Sequence, residues 1–296
     1  MYEIRTFQKE YLEKQFEIGN KILSEWPGTG QTSVENLTHL YSGVNFDPET
    51  KFYAFQDDEM VGFQTATIKP RKEGDEITRA NLEFPLVKSG HEAAIDALMK
   101  FSFKKLKEKG VSKVQSRGCQ LWGETMKMVE KYEYEYKRTL NLSGTITVSE
   151  FQVEDHAQVR AYNEETDYDS MRKMYLEVMK LSEKQLDNQL KFLKDNPHVV
   201  VSWNVVIQDG EILGNTIVTY LGGDQTKGIM ANIFAQGDDE KNVRKQLLHA
   251  NIESCKAKGV EELNIILFGQ YLEKQKEYEN LGIVFNAPLD LYHRDI

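Results

Sequence analysis

At 296 residues, with 40% hydrophobic and 10% aromatic content, the chain can fill two ordinary cores and does not have the composition of a disordered segment. A formal charge of −10 with no long basic stripe disfavours nucleic acid and anionic membranes as partners; it suits an amine-bearing partner, or simple solubility. No run of about 18 apolar residues and no signal-peptide core occurs, and Cys119 and Cys255 are far apart, so a soluble, cytoplasmic protein with reduced thiols is expected.

Residues 2–23 read as a strand running into helical material, and residues 51–68 as two alternating strands around Asp57-Asp58-Glu59. A short strand follows at 80–84, Ala-Asn-Leu-Glu-Phe. The stretch SGHEAAIDALMKFSFKKLKEKGV (89–111) is a polar turn, then a helix with Ile95, Leu98, Phe101 and Leu106 near period 3.6, then Lys-Gly-Val. A strand at 113–117 and a helix with a final strand in 122–142 complete the set.

Beyond a polar join at 149–158, the order repeats. Residues 159–181 are strand and helix, and 199–221 form a hairpin around Asp209-Gly210. The strand 231–235 reads Ala-Asn-Ile-Phe-Ala. The helical stretch 238–260 carries Val243, Leu247, Leu248 and Ile252 and again ends in Lys-Gly-Val; 262–268 and 271–291 close the second copy. Gly110 and Gly259 stand 149 residues apart, Gly62 and Gly214 152, and Ala80 and Ala231 151. Two domains are expected, 1–150 and 151–296, each an α/β (α+β) unit whose mixed, largely antiparallel sheet is flanked by helices.

A tight polar turn before a helix presents unpaired N–H groups and partial positive charge, a seat for phosphate. The element order resembles the GNAT superfamily of N-acetyltransferases, and its doubling resembles tandem-GNAT proteins such as the mycothiol synthase group. The segment YENLGIVF (278–285) is similar to the closing motif Tyr-x-x-Leu-Gly-Phe with Ile283 in the Phe place; 129–142 is the same segment with Glu133 in the Gly place. The resemblance implies acetyl-CoA (or another acyl-CoA) as co-substrate, an amine of a small molecule or peptide as acceptor, no metal, and a monomer or homodimer. The family's cofactor turn, Arg/Gln-x-x-Gly-x-Gly/Ala, falls on residues 90–95 and 239–244, and neither copy keeps the leading residue or both glycines. In the first, Ser89, Gly90, His91, Ala93 and Ala94 leave room for a diphosphate. In the second, Lys241, Asn242, Val243 and Arg244 are the cofactor candidates, opposed by Asp238, Asp239 and Glu240. The alternative at both turns is an ordinary N-cap.

Acyl transfer to an amine needs a base for the amine's proton, a donor for the oxyanion and a proton for the departing thiolate. The resemblance assigns the last role to Tyr278; the first copy has Val129 there. Glu83, on the strand before the turn, is the candidate base, with plain alternation toward solvent as the competing account. Trp26 and Tyr41, in the segment 25–41, are the candidate acceptor-binding residues. Nucleophile-elbow, phosphate-loop and zinc motifs are absent from the sequence. The expected function is therefore N-acyl transfer. The alternatives are a degenerate, non-catalytic pair that binds a ligand or partner, and an aminoacyl-tRNA-dependent transferase, which the negative charge opposes.

Overall fold

The computed structural model describes residues 2–26, 29–44, 46–71, 77–154, 156, 158–178, 181–221 and 224–296. In chain order the first elements are β1 (Glu3–Thr6), α1 (Leu12–Leu23), α2 (Val34–Leu40), β2 (Lys51–Gln56), β3 (Glu59–Ile68), β4 (Arg79–Leu82), β5 (Leu86–Val87), α3 (Ala93–Glu108), β6 (Lys113–Gly118), α4 (Thr125–Lys131) and β7 (Glu135–Thr147). Next come β8 (Val159–Ala161), α5 (Glu164–Val178), α6 (Glu183–Asp195), β9 (Val200–Gln208), β10 (Glu211–Leu221), β11 (Asp224–Met230) and β12 (Phe234–Ala235). The chain ends with α7 (Glu240–Ala257), β13 (Glu262–Phe268), α8 (Gln275–Asn280), β14 (Val284–Phe285) and β15 (Leu289–Asp295). No helix among the described residues is long and apolar enough to cross a membrane.

Two compact units result, residues 1–140 with 287–296, and residues 141–286. The boundaries depart from a division at 150/151, because the chain changes unit inside β7 and again before β15. In the first unit the strand order is β1-β2-β3-β4-β6-β15, antiparallel except for the β4–β6 pair. In the second, residues 141–147 of β7 pair with β13, and β13-β11-β10-β9-β8 follow, with β11–β13 the parallel pair. Each sheet is thus completed by a strand from the other sequence repeat.

Burial follows the residue alternation. Phe52, Ala54 and Leu82 pack with Leu98, Met99 and Leu106 of α3 on one face of the first sheet. Tyr53, Phe55 and Phe63 face Ile18 of α1 on the other. With both faces covered, β2 is apolar throughout except at Lys51 and Gln56. The second unit buries Val205, Ile212, Val218 and Met230 with Leu247, Leu248 and Ile252 of α7.

The repeated motifs have local causes. Both hairpins turn through two residues of positive φ, Asp57-Asp58 and Asp209-Gly210, the geometry whose twist matches the strands. Each Lys-Gly-Val is a helix stop: Gly110 and Gly259 take φ of 75° and 73°, and Val111 and Val260 donate back to Leu106 and Cys255 at 3.0 Å. The closing turns match as well. Glu133 takes φ 52° and Gly282 φ 90°, with Tyr134 donating to Val129 at 2.9 Å and Ile283 to Tyr278 at 3.2 Å. Glu133 therefore pays the steric cost of the left-handed region that a glycine avoids.

Pairing corrects one element of the sequence alignment. Val87 lies opposite Gly62 and Ala235 opposite Gly214, while Leu82 faces Ala66 and Met230 faces Val218. Those partners are 148 residues apart, so residues 83–85 correspond to 231–233, and the counterpart of Glu83 is Ala231 rather than Phe234.

Lys51 is an unusual core member. It is buried, donates to the Ala66 carbonyl, lies 3.4 Å from Thr50 Oγ1 and sits 5.6 Å from the Tyr41 ring centre. Burial brings its pKa down to about 8, against the opposing pull of Asp47 and Glu83.

Two predictions follow from this architecture. Glu133→Gly is expected to stabilise the protein by about 1 kcal/mol and Gly282→Ala to destabilise it by a similar amount, read as opposite shifts of the urea midpoint. Between pH 8 and about 10.4 the unfolded chain holds a proton at Lys51 that the folded one has released, so this group makes stability rise with pH across that window. The Tm of Lys51→Met minus that of the parent should accordingly shrink as pH rises from 7 to 10; a constant difference would contradict the assignment.

Candidate active site

The first unit contains a parting between two parallel strands. The β4–β6 ladder runs from Arg79 opposite Lys113 to Asn81 opposite Gln115. Ser116 Oγ then donates to the Leu82 carbonyl at 2.7 Å. The ladder goes no further, and past Pro85 the chain resumes pairing as β5 on β3 alone. Two cavities open at this place, of about 590 and 560 Å3, with Trp26 and Leu86 in the walls of both. Each has the volume of a small-molecule site.

The smaller cavity holds most of the polar candidates. Leu82 and Phe84 belong to the α3-side core, so Glu83 projects from the opposite face and lines this cavity. Its Oε1 accepts from Arg117 Nη2 at 2.9 Å, and Arg117 lines the same cavity from the end of β6. Gln64 is buried beside them, its Nε2 donating to the Glu83 carbonyl at 2.9 Å. Tyr41 forms another wall, its hydroxyl accepting from Gln15 Nε2 at 3.0 Å, and burial raises its pKa. Trp26 stacks on Trp122 with ring centres 5.7 Å apart and planes 8° from parallel. The structure thus brings Glu83, Trp26 and Tyr41 to one cavity. Arg117, Gln64 and Trp122 were not singled out from sequence; only Arg117, an odd charge at a strand end, gave any signal.

The larger cavity runs from α1 past β5 to the turn before α3 and the start of α4. Its walls include the apolar Ile18, Ile22, Leu86, Val87, Ile95 and Met128, together with Ser89 and Glu92. At the turn, Gly90 has φ 87° and its N–H donates to Glu92 Oε1 at 2.8 Å, which lowers the Glu92 pKa. The next amides turn inward: His91 donates to Lys88 at 3.1 Å, Ala94 to His91 at 2.8 Å and Ile95 to Glu92 at 3.0 Å. An internal carboxylate therefore holds an amide where a diphosphate was expected. Ala94 is buried in the core and Ala93 exposed, while His91 Nδ1 lies 3.2 Å from Gln56 and 3.4 Å from Tyr2. Of the residues assigned to this turn, only Ser89 lines the cavity. Glu92 went unnoticed, although a Glu two residues after a glycine is well placed to cap it.

The second unit closes the equivalent parting. Asn232, the counterpart of Phe84, donates through Nδ2 to the Phe268 carbonyl at 3.2 Å and accepts the Phe268 N–H at 3.0 Å. Ile233, which stands where the first unit has Pro85, gives its N–H to the Tyr278 hydroxyl at 3.2 Å. Tyr278 is fully buried, burial raises its pKa, and it lines none of the described cavities. Its placement is that of a core hydroxyl joining helix to strand. At the start of α7, Val243 packs on Gly214, where an added Cβ would come within 2.4 Å of it. Arg244 is buried and bonds Glu277 at 2.6 Å and Glu240 at 2.8 Å; Arg244 first, then Lys274, brings the Glu240 pKa down to about 2. Lys241 and Asn242 line a recess that also holds Asp239, Glu273 and Glu277. Removing one partner of the Arg244 cluster would strand a buried charge at about 3–5 kcal/mol, which marks these residues as structural.

No protein-family model matches the chain, and no curated protein sequence matches it. Solved structures do. A GCN5-related N-acetyltransferase from Sphaerobacter thermophilus is similar with a TM-score of 0.67 at 12% identity, over 99% of this chain and 95% of that one. A tandem GNAT protein from the clavulanic acid biosynthesis pathway gives 0.68 at 10% identity, over 100% and 98%. A GNAT-family acetyltransferase from Colwellia psychrerythraea gives 0.66 at 11% identity, over 98% and 99%. The chain has the fold of the GNAT N-acetyltransferases in tandem form.

Proposed function

We propose that the protein is an acyltransferase whose working half is the first unit, moving an acyl group from acyl-CoA to a small amine. The observation that carries this reading is the open parting at Pro85, with a cavity on either side and a common wall of Trp26 and Leu86. The mostly apolar trench of the larger cavity suits a pantetheine arm, and the smaller cavity, with Glu83, suits the amine. In the reaction the amine nitrogen attacks the thioester carbonyl carbon and the C–S bond breaks. Glu83 takes one proton from the ammonium and passes it to solvent, giving the neutral amine that attacks; the second proton the nitrogen sheds on becoming an amide goes to the departing thiolate, giving the free thiol. Closure of the second unit by Asn232 and Tyr278 supports a structural role there.

Glu92 favours a second reading, a binding protein without turnover, because its carboxylate competes for an amide that a diphosphate would use. Calorimetry with CoA separates the two. On the catalytic reading CoA binds the parent, and Glu92→Gln binds it about fivefold more tightly through loss of one repulsive charge. Glu83→Gln should then lower kcat by about 100-fold at unchanged CoA affinity. If neither the parent nor Glu92→Gln takes up CoA at millimolar concentration, the non-catalytic reading stands instead.

A further inference from the structure

We propose that the acceptor is a free α-amino acid with a large apolar side chain. The proposal rests on the reading of the smaller cavity as the acceptor site and names the class of amine that enters it.

The argument starts from the pair Glu83 and Arg117. A carboxylate and a guanidinium face one cavity 2.9 Å apart, each about half exposed, so both can be reached from within it. A simple amine drawn to Glu83 would satisfy only one of the two charges and leave the half-exposed guanidinium to solvent. A zwitterion replaces both ends of the bond at once. Its ammonium takes Glu83, and its carboxylate accepts the planar fork of Arg117, which matches a carboxylate in two-pronged fashion. Because the two side chains are neighbours, a ligand whose charges are close together, as in an α-amino acid, meets both with the least movement.

Gln64 closes this part of the sheet from the other face: its Nε2 donates to the Glu83 carbonyl and lies 3.0 Å from Met99 Sδ in the α3-side core. The rest of the wall, including Trp26, Trp122, Phe63, Leu37 and Leu289, is apolar and selects the side chain. Transfer converts the amino acid and acyl-CoA to an N-acyl amino acid and free CoA. The new N–C bond replaces the C–S bond; of the two protons the ammonium nitrogen loses on becoming an amide, one passes through Glu83 to solvent and the other goes to the departing thiolate.

Calorimetry on the full chain without CoA tests the site separately from turnover. L-phenylalanine is expected to bind at least about tenfold more tightly than phenethylamine, which is the same molecule without its carboxylate. Arg117→Gln should remove that advantage by weakening phenylalanine, with phenethylamine bound at least as tightly as by the parent, while Arg117→Lys restores part of the advantage. Equal binding of the two ligands by the parent, or no binding of either at 10 mM, overturns the proposal without any variant being needed. Equal loss of both ligands in a folded Arg117→Gln protein overturns it too. Acylation of phenethylamine as fast as phenylalanine would sink the amino-acid assignment and leave the acyltransferase reading intact. Phenylalanine binding without any CoA uptake would do the reverse.

Discussion

The candidate site depends on the place where two parallel strands stop pairing. Strands β4 and β6 are joined from Arg79–Lys113 to Asn81–Gln115, and Ser116 adds a side-chain bond to the Leu82 carbonyl. Beyond that point side chains rather than ladder partners line the gap. At the same place in the second unit stand Asn232 and Ile233, and both find partners, Phe268 and the Tyr278 hydroxyl. At this one place the first unit is open and the second is bridged, through Asn232 and Ile233.

Charge reinforces that division. In the second unit the acidic start of α7 is answered internally by Arg244 and Lys274, which fixes the helix end to α8 and the segment before it. In the first unit the cavity walls carry ionic groups that are only partly withdrawn from solvent, and the Glu83–Arg117 contact is one whose net worth in the empty cavity is small. A pair of that kind is easily exchanged for a ligand's charges, whereas the Arg244 cluster is not.

The features legible from sequence were those encoded over a few residues. The Lys-Gly-Val stops and the Asp-rich hairpins are local, and each was visible as a repeat. Glu83, expected on a strand, lies just past the end of β4, and with Trp26 and Tyr41 it lines one cavity. The register of β4 was not legible, because the loop before it is longer than the one before β11, and the likeness of Ala-Asn-Leu-Glu-Phe to Ala-Asn-Ile-Phe-Ala masked the shift. Tyr278 fitted a motif, yet its burial depends on Ile233, forty-five residues away. Lys51 is buried by contacts distant in sequence, its ammonium donating to the Ala66 carbonyl with the Tyr41 ring 5.6 Å away. Strand exchange leaves no local trace at all, since a strand's partner is chosen by long-range packing.

That exchange has a consequence for how the molecule comes into being. Leu291 of β15 pairs with Arg117, so the sheet edge bearing a wall of the smaller cavity is completed by a segment synthesised after the whole of the second unit. Until then the nascent first half exposes the unpaired rim of β6, and it cannot mature as an autonomous module ahead of the rest. Doubling, in this chain, made the halves mutually obligate during biogenesis rather than giving it two independent copies of one machine.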